Sequence, residues 1–246
     1  MVADALNVAC GIVGTACFAL MMVPQALLNY RRSSTVGLSL SLVLLWHGAA
    51  IVYIAYTIAT RGSAWLLLSM ASFSTVSALI EAQVYAYGRD EVARVGPLAA
   101  LLAAGSLAGA VLVGEAFRAW LPPSAQLAIG TLLPALLFAV GFFPQLASFI
   151  ATRSIDGYSF TVTAFDVVGS AANSAVILLP HGSDAGAHGA DQSAAASAWL
   201  ACAPFLAIIA LHIVLLGLAG WIVFVPQRAA SAKPPPAGGN SESVLL

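Results

Sequence analysis

The strongest constraint on this chain is a series of seven apolar stretches, each long enough to cross a bilayer, separated by short polar breaks. They lie near residues 7–29, 38–59, 64–87, 95–114, 125–150, 160–180 and 196–225. A helix of about 20 apolar residues matches the hydrocarbon thickness of a membrane, and it satisfies its own backbone hydrogen bonds there. Only 8% of the 246 residues are Asp, Glu, Lys or Arg. A soluble domain carries roughly 25%, so most of this surface must face lipid. The expected fold is an all-α membrane protein of seven transmembrane helices. The first stretch follows Met-Val-Ala-Asp with no basic segment, so it reads as a retained helix rather than a cleaved leader. Beyond Pro226 the composition turns to Pro, Gly, Ser and Ala, and residues 226–246 read as a disordered tail.

The polar breaks carry the orientation. Breaks one, three and five and the tail hold Arg31, Arg32, Arg89, Arg94, Arg153, Arg228 and Lys233. The other three breaks hold only Arg61 and Arg118. The positive-inside rule then puts the carboxyl terminus in the cytosol and the amino terminus on the lumenal or outer side. Net charge is −1 with no basic block, which gives no support for nucleic-acid binding. Cys10, Cys17 and Cys202 sit in apolar runs without metal spacing and read as small packing residues. No cofactor or metal set is expected, and the lipid bilayer is an expected partner beside a small-molecule substrate and protons. Oligomeric state is left open.

The chain also repeats itself. Pro24-Gln25 recurs as Pro144-Gln145, an offset of 120, and the same offset pairs Ser34 with Ser154, Gly37 with Gly157 and Ser39 with Ser159. Each copy reads as a helix end, Pro-Gln, a basic turn, Gly-x-Ser and the next helix. The expected organisation is a three-helix unit over 1–94, a linker helix over 95–123, a second three-helix unit over 124–225 and the tail. Units joined by one helix share an orientation, as in parallel-repeat transporters.

These residues resemble the PQ-loop repeat family. The segment "VPQALLNYRRSSTVGLSLSLVLLW" is a close match to its motif, and "FPQLASFIATRSIDGYSFTVTAFDVVG" is a good one. The resemblance covers most of the chain apart from the tail. It is to the cystinosin and vacuolar-lysosomal cationic amino-acid transporter type, with sugar-moving SWEET proteins more distant. It implies transport across an endomembrane, vacuolar or lysosomal, and proton coupling at an Asp of the sixth helix, the position that Asp166 occupies after Gly-x-Ser.

Several residues then become candidates. Pro24 and Pro144 each remove a helix hydrogen bond; equivalent positions in two units favour hinges over static kinks, with Gln25 and Gln145 beside them. Pro226-Gln227 lacks a following Gly-x-Ser and reads as coincidence. Asp166 lies inside the sixth span, where a carboxylate costs about 2.5–3.5 kcal/mol unless it is paired, protonated or faces a cavity. Gly169, Ser170 and Asn173 share its helical face. A hydrated Asp166 near the interface is the alternative. The offset of 120 carries Asp166 to Trp46 and Asn173 to Tyr53, so a substrate cavity with one aromatic and one acidic-amide wall is expected. For Trp46 a lipid anchor is equally open. Glu81 is expected almost opposite His212, both as proton-coupling residues; a helix-end Glu81 and a merely hydrogen-bonded His212 are the alternatives. An acidic residue is common in the family near the position of His212, so His212 is a departure. His47 reads as structural, and His181 and His188 as solvated loop residues.

The leading expectation is a proton-coupled secondary transporter of a small polar metabolite, an amino acid above all. The alternative is a non-transporting receptor or trafficking regulator on the same fold; the absence of Lys and Arg inside the spans weighs against a carboxylate-binding receptor pocket. Enzymatic activity is not expected, because the four histidines are scattered. A retinal protein is not expected, because the single lysine, Lys233, lies in the tail.

Overall fold

A computed structural model describes residues 2–36, 38–152, 160–179 and 192–231. They form nine α-helices: α1 Val2–Leu20, α2 Val23–Arg32, α3 Leu40–Ala59, α4 Ala64–Tyr87, α5 Val95–Trp120, α6 Pro123–Thr152, α7 Phe160–Leu178, α8 Gln192–Ala201 and α9 Ala203–Ser231. A 3₁₀ turn, Val92–Arg94, leads into α5, and no strand occurs among the described residues. Seven spans are long and apolar enough to cross a membrane.

The first expected span is two helices, and so is the last. The first breaks at Met21 and Met22, just before Pro24 in the first turn of α2. A proline lacks an N–H and is tolerated in a first turn, where that donor has no helical partner anyway. The last span breaks at Cys202, two residues before Pro204, for the same reason. In contrast, α6 runs unbroken through Pro134 and Pro144. Ser39, the serine of the first Gly-x-Ser, caps α3: its hydroxyl accepts from the Leu42 N–H at 3.3 Å, satisfying one of the free donors of a helix start. Gly157 and Ser159, its expected equivalents, lie outside the described residues, as do Gly37, Arg153, His181 and His188.

Helix α4 packs against α1, α3 and α5, and α9 packs against α6 and α7. The two groups meet where α3 lies on α6 and α1 lies on α7. α5 leans on α3 and α4 and leaves Leu101 and Leu112 exposed on its outer side. The buried core runs through Phe18, Trp46, Tyr53, Phe73, Phe142 and Phe205.

Close helix approach depends on small residues, because lipid gives apolar helices no hydrophobic reason to associate. At Gly114 of α5 a Cβ would stand 2.8 Å from the Ala55 carbonyl oxygen and 3.0 Å from Ile58 Cβ. A backbone oxygen cannot rotate away. Gly114→Val is therefore expected to cost about 1–3 kcal/mol, the range for overpacking, read as a lower thermal-unfolding midpoint in detergent. Gly109→Val, whose Cβ meets nothing within 4 Å, should stay near wild type.

Candidate functional site

Four acidic or histidine side chains lie away from the helix ends within the described spans: His47 on α3, Glu81 on α4, Asp166 on α7 and His212 on α9. They are arranged as two acid–histidine pairs. Asp166 Oδ2 stands 3.6 Å from His212 Nε2, and His47 Nδ1 stands 2.8 Å from Glu81 Oε1. The expectation that Glu81 faces His212 is overturned. Glu81 sits on α4, which packs on α3, whereas His212 sits on α9, which packs on α7.

The Asp166–His212 pair is fully enclosed, with exposures of 1% and 0%. The alternative of a hydrated Asp166 at the interface is thereby removed. His212 Nδ1 lies 3.0 Å from the Ile208 carbonyl oxygen. That oxygen only accepts, so Nδ1 carries the hydrogen. In a neutral ring the other nitrogen, Nε2, then turns a lone pair toward Asp166. A carboxylate and a bare ring nitrogen do not attract each other. One proton, on either partner, would replace that repulsion by attraction. Burial adds the second half of the argument, since an uncompensated charge in an apolar interior is expensive. Phe142 closes one side, its ring edge-on to His212 at 4.9 Å and 89°.

A polar stripe extends along α7 from this pair. Asp166, Ser170, Asn173 and Ser174 follow helical spacing on one face, and all four are buried. Asn173 Oδ1 accepts from Ser69 Oγ at 3.1 Å, and Ser69 in turn shares a hydrogen with Thr15 at 3.1 Å. Gly14 lets Asn173 approach α1, since a Cβ there would collide with the Asn173 amide oxygen. Buried side-chain atoms without a partner among the described residues are Trp46 Nε1, Ser77 Oγ, Asp166 Oδ1, Ser170 Oγ, Asn173 Nδ2, Ser174 Oγ and His212 Nε2. Buried polar atoms almost always have a partner. Donors and acceptors on α3, α4, α7 and α9 with capacity to spare are what a polar ligand requires.

Trp46 is 3% exposed and packs on Phe73, Phe138 and Phe142, which rules out a lipid anchor. Gly141 of α6 makes room for it: a Cβ there would stand 2.7 Å from the indole. Tyr53 is also buried, its hydroxyl donating to the Ala201 carbonyl at 3.3 Å. A pocket of about 200 Å³ reaches it, lined also by Tyr56, Thr57, Thr60, Ser63 and Val176. Trp46, Asp166 and Asn173 are not among the residues lining that pocket.

At the first Pro-Gln, Gln25 Nε2 donates to Asn29 Oδ1 at 2.8 Å, Asn29 Nδ2 donates to Gln83 Oε1 at 3.1 Å, and Gln83 Nε2 donates to the Ala26 carbonyl at 3.0 Å. This amide chain ties α2 to α4 on the cytosolic side of the expected topology. Sequence reading singled out neither Asn29 nor Gln83; two amides in apolar helices were the available signal. At the second Pro-Gln, Pro144 is exposed on α6, and the side chain of Gln145 lies outside the described residues.

Residues 6–66 match the family model described as PQ loop repeat. The likeness to the PQ loop repeat is confined to this quarter of the chain. The match runs from α1 into the start of α4 and contains Pro24, Gln25, Gly37 and Ser39; the second Pro-Gln lies beyond it. The chain is also similar to an uncharacterized protein of Schizosaccharomyces pombe, 25% identical over 162 residues. That alignment covers 65% of this chain and 57% of the relative, so the chain spans little more than half the relative's length.

Proposed function

We propose that this chain is a PQ-loop protein and a proton-coupled secondary transporter that exports a small polar metabolite, of amino-acid type, from an acidic endomembrane compartment to the cytosol. The observation that carries the reading is the Asp166–His212 pair, an enclosed carboxylate and imidazole held 3.6 Å apart inside membrane-spanning helices. Ionisable groups at that depth mark ion and substrate pathways. The unpartnered hydroxyls and amide on α7 support an amino acid as cargo: they offer donors to a substrate carboxylate, and Asp166 offers an acceptor to its ammonium group.

The proposed cycle uses two three-helix units joined by α5. Supporting this division, α4 packs on α1 and α3 much as α9 packs on α6 and α7, and the cross-contacts α3 with α6 and α1 with α7 are reciprocal. With the amino terminus lumenal, Asp166–His212 takes its proton from the lumen while that side is open. The substrate binds beside it, the units rock about Pro24 and Pro144, and proton and substrate leave to the cytosol. The break before Pro24 supports a hinge in the first unit.

The test is uptake of individual radiolabelled amino acids into proteoliposomes containing the full chain, with and without an inward proton gradient. Gradient-driven accumulation that collapses on adding a protonophore is expected. No gradient-dependent flux for any amino acid, together with capture of a protein partner, would instead establish the receptor reading.

A further inference from the structure

We propose that His47, Glu81 and Ser74 form a second proton-exchange site, the first unit's counterpart of Asp166–His212 with acid and base exchanged between helices. In the second unit the acid is on α7 and the histidine on α9. In the first unit the histidine is on α3 and the acid on α4. His47 is the eighth residue of α3 and Asp166 the seventh of α7, so these two side chains lie at similar depth from the starts of their helices. The inference rests on separate side chains from the transport reading and deepens it by naming a second proton carrier.

The chemistry follows from the two ring nitrogens of His47. Nδ1 is 2.8 Å from Glu81 Oε1 and Nε2 is 2.8 Å from Ser74 Oγ. A serine hydroxyl both donates and accepts. With the pair protonated, either both nitrogens carry hydrogens, Nδ1–H donating to the Glu81 carboxylate and Nε2–H to Ser74, or Glu81 carries the proton and donates to Nδ1. With the proton released, Nδ1–H still donates to the carboxylate, and the Ser74 hydroxyl turns to donate to the bare Nε2. One proton enters or leaves, no heavy-atom contact is lost, and every hydrogen bond is remade. A ring held only for packing would not need a partner that serves both protonation states. His47 is 4% exposed and Ser74 fully buried.

Other titratable groups lie on the helices around the triad. The titratable groups on the helices packed against α3 and α4 begin with Asp4, Cys10 and Cys17 of α1 and Tyr30, Arg31 and Arg32 of α2. The others are Glu91 with Arg94 before α5, Glu115 with Arg118 at its far end, and Asp166 of α7. On α3 and α4 themselves they are Tyr53, Tyr56, Tyr85 and Tyr87, and α6 carries none. The hydrogen bonds of the His47 ring go to Glu81 and Ser74.

The experiment is infrared difference spectroscopy of the full chain in lipid nanodiscs, cycled between acidic and alkaline buffer, with no substrate required. Two carboxyl signals are expected. One is lost in Glu81→Gln and kept in Asp166→Asn; the other behaves in the opposite way. Ser74→Ala removes only a hydroxyl and guards against a folding failure of the glutamine variant. It should change the imidazole bands of His47 and leave the Asp166 signal in place. A Glu81→Gln spectrum that superimposes on wild type, or a Ser74→Ala spectrum without any imidazole change, would overturn the second site. Transport that survives Asp166→Asn would remove the transport mechanism above while leaving this result standing, so the two can fail separately.

Discussion

Asp166→Asn is expected to reduce gradient-driven uptake by about two orders of magnitude, the scale on which a positioned proton-transfer group contributes. Asparagine keeps the volume and one acceptor oxygen of the side chain but cannot exchange a proton. Its amide N–H can face the bare Nε2 of His212 as a protonated carboxyl would, but it cannot release that hydrogen. The driving force is therefore uncoupled while the fold is kept. Gradient-independent counterflow of the same substrate should persist, because an amide resembles the protonated carboxyl. His212→Gln should produce a related defect. The double variant should be no worse than Asp166→Asn alone, since residues acting as one unit are not additive. Wild-type acid-driven flux in Asp166→Asn would exclude this carboxylate from energy coupling.

Phe18→Ala carries the largest expected loss of stability. Phe18 is 1% exposed on α1, and its ring meets Phe73 of α4 edge-on at 6.0 Å and Phe205 of α9 at 6.1 Å. Gly169 of α7 lies against it; a Cβ there would stand 2.6 Å from the ring. One side chain thus joins four helices. In a bilayer the transfer term between helix and lipid is small, so packing and cavity terms decide association. Truncating a buried Phe costs about 3–5 kcal/mol in well-packed cores. We expect a loss of about 3 kcal/mol here, seen as low yield and an early unfolding midpoint in detergent. Leu112→Ala, on a residue 72% exposed on α5, should shift that midpoint little. An unchanged midpoint in Phe18→Ala would mean that the four helices are held elsewhere.

The sequence by itself determined the spans, since length and apolarity alone decide which segments can cross a membrane. It also determined the stripe of Asp166, Ser170 and Asn173, because helical spacing is local, and it marked Pro24 as a place where the chain departs from a straight helix. It did not reveal that Pro24 starts a new helix while Pro144 stays within one. A proline removes the same donor in both places, and whether the helix breaks depends on what the neighbouring helices hold. Partner choice was likewise invisible. Glu81 and His212 looked opposed along the repeat, yet an ionisable side chain inside a membrane pairs with whichever group its adjacent helix presents. Only the packing of α4 on α3 and of α9 on α7 made Glu81 the partner of His47 and His212 the partner of Asp166.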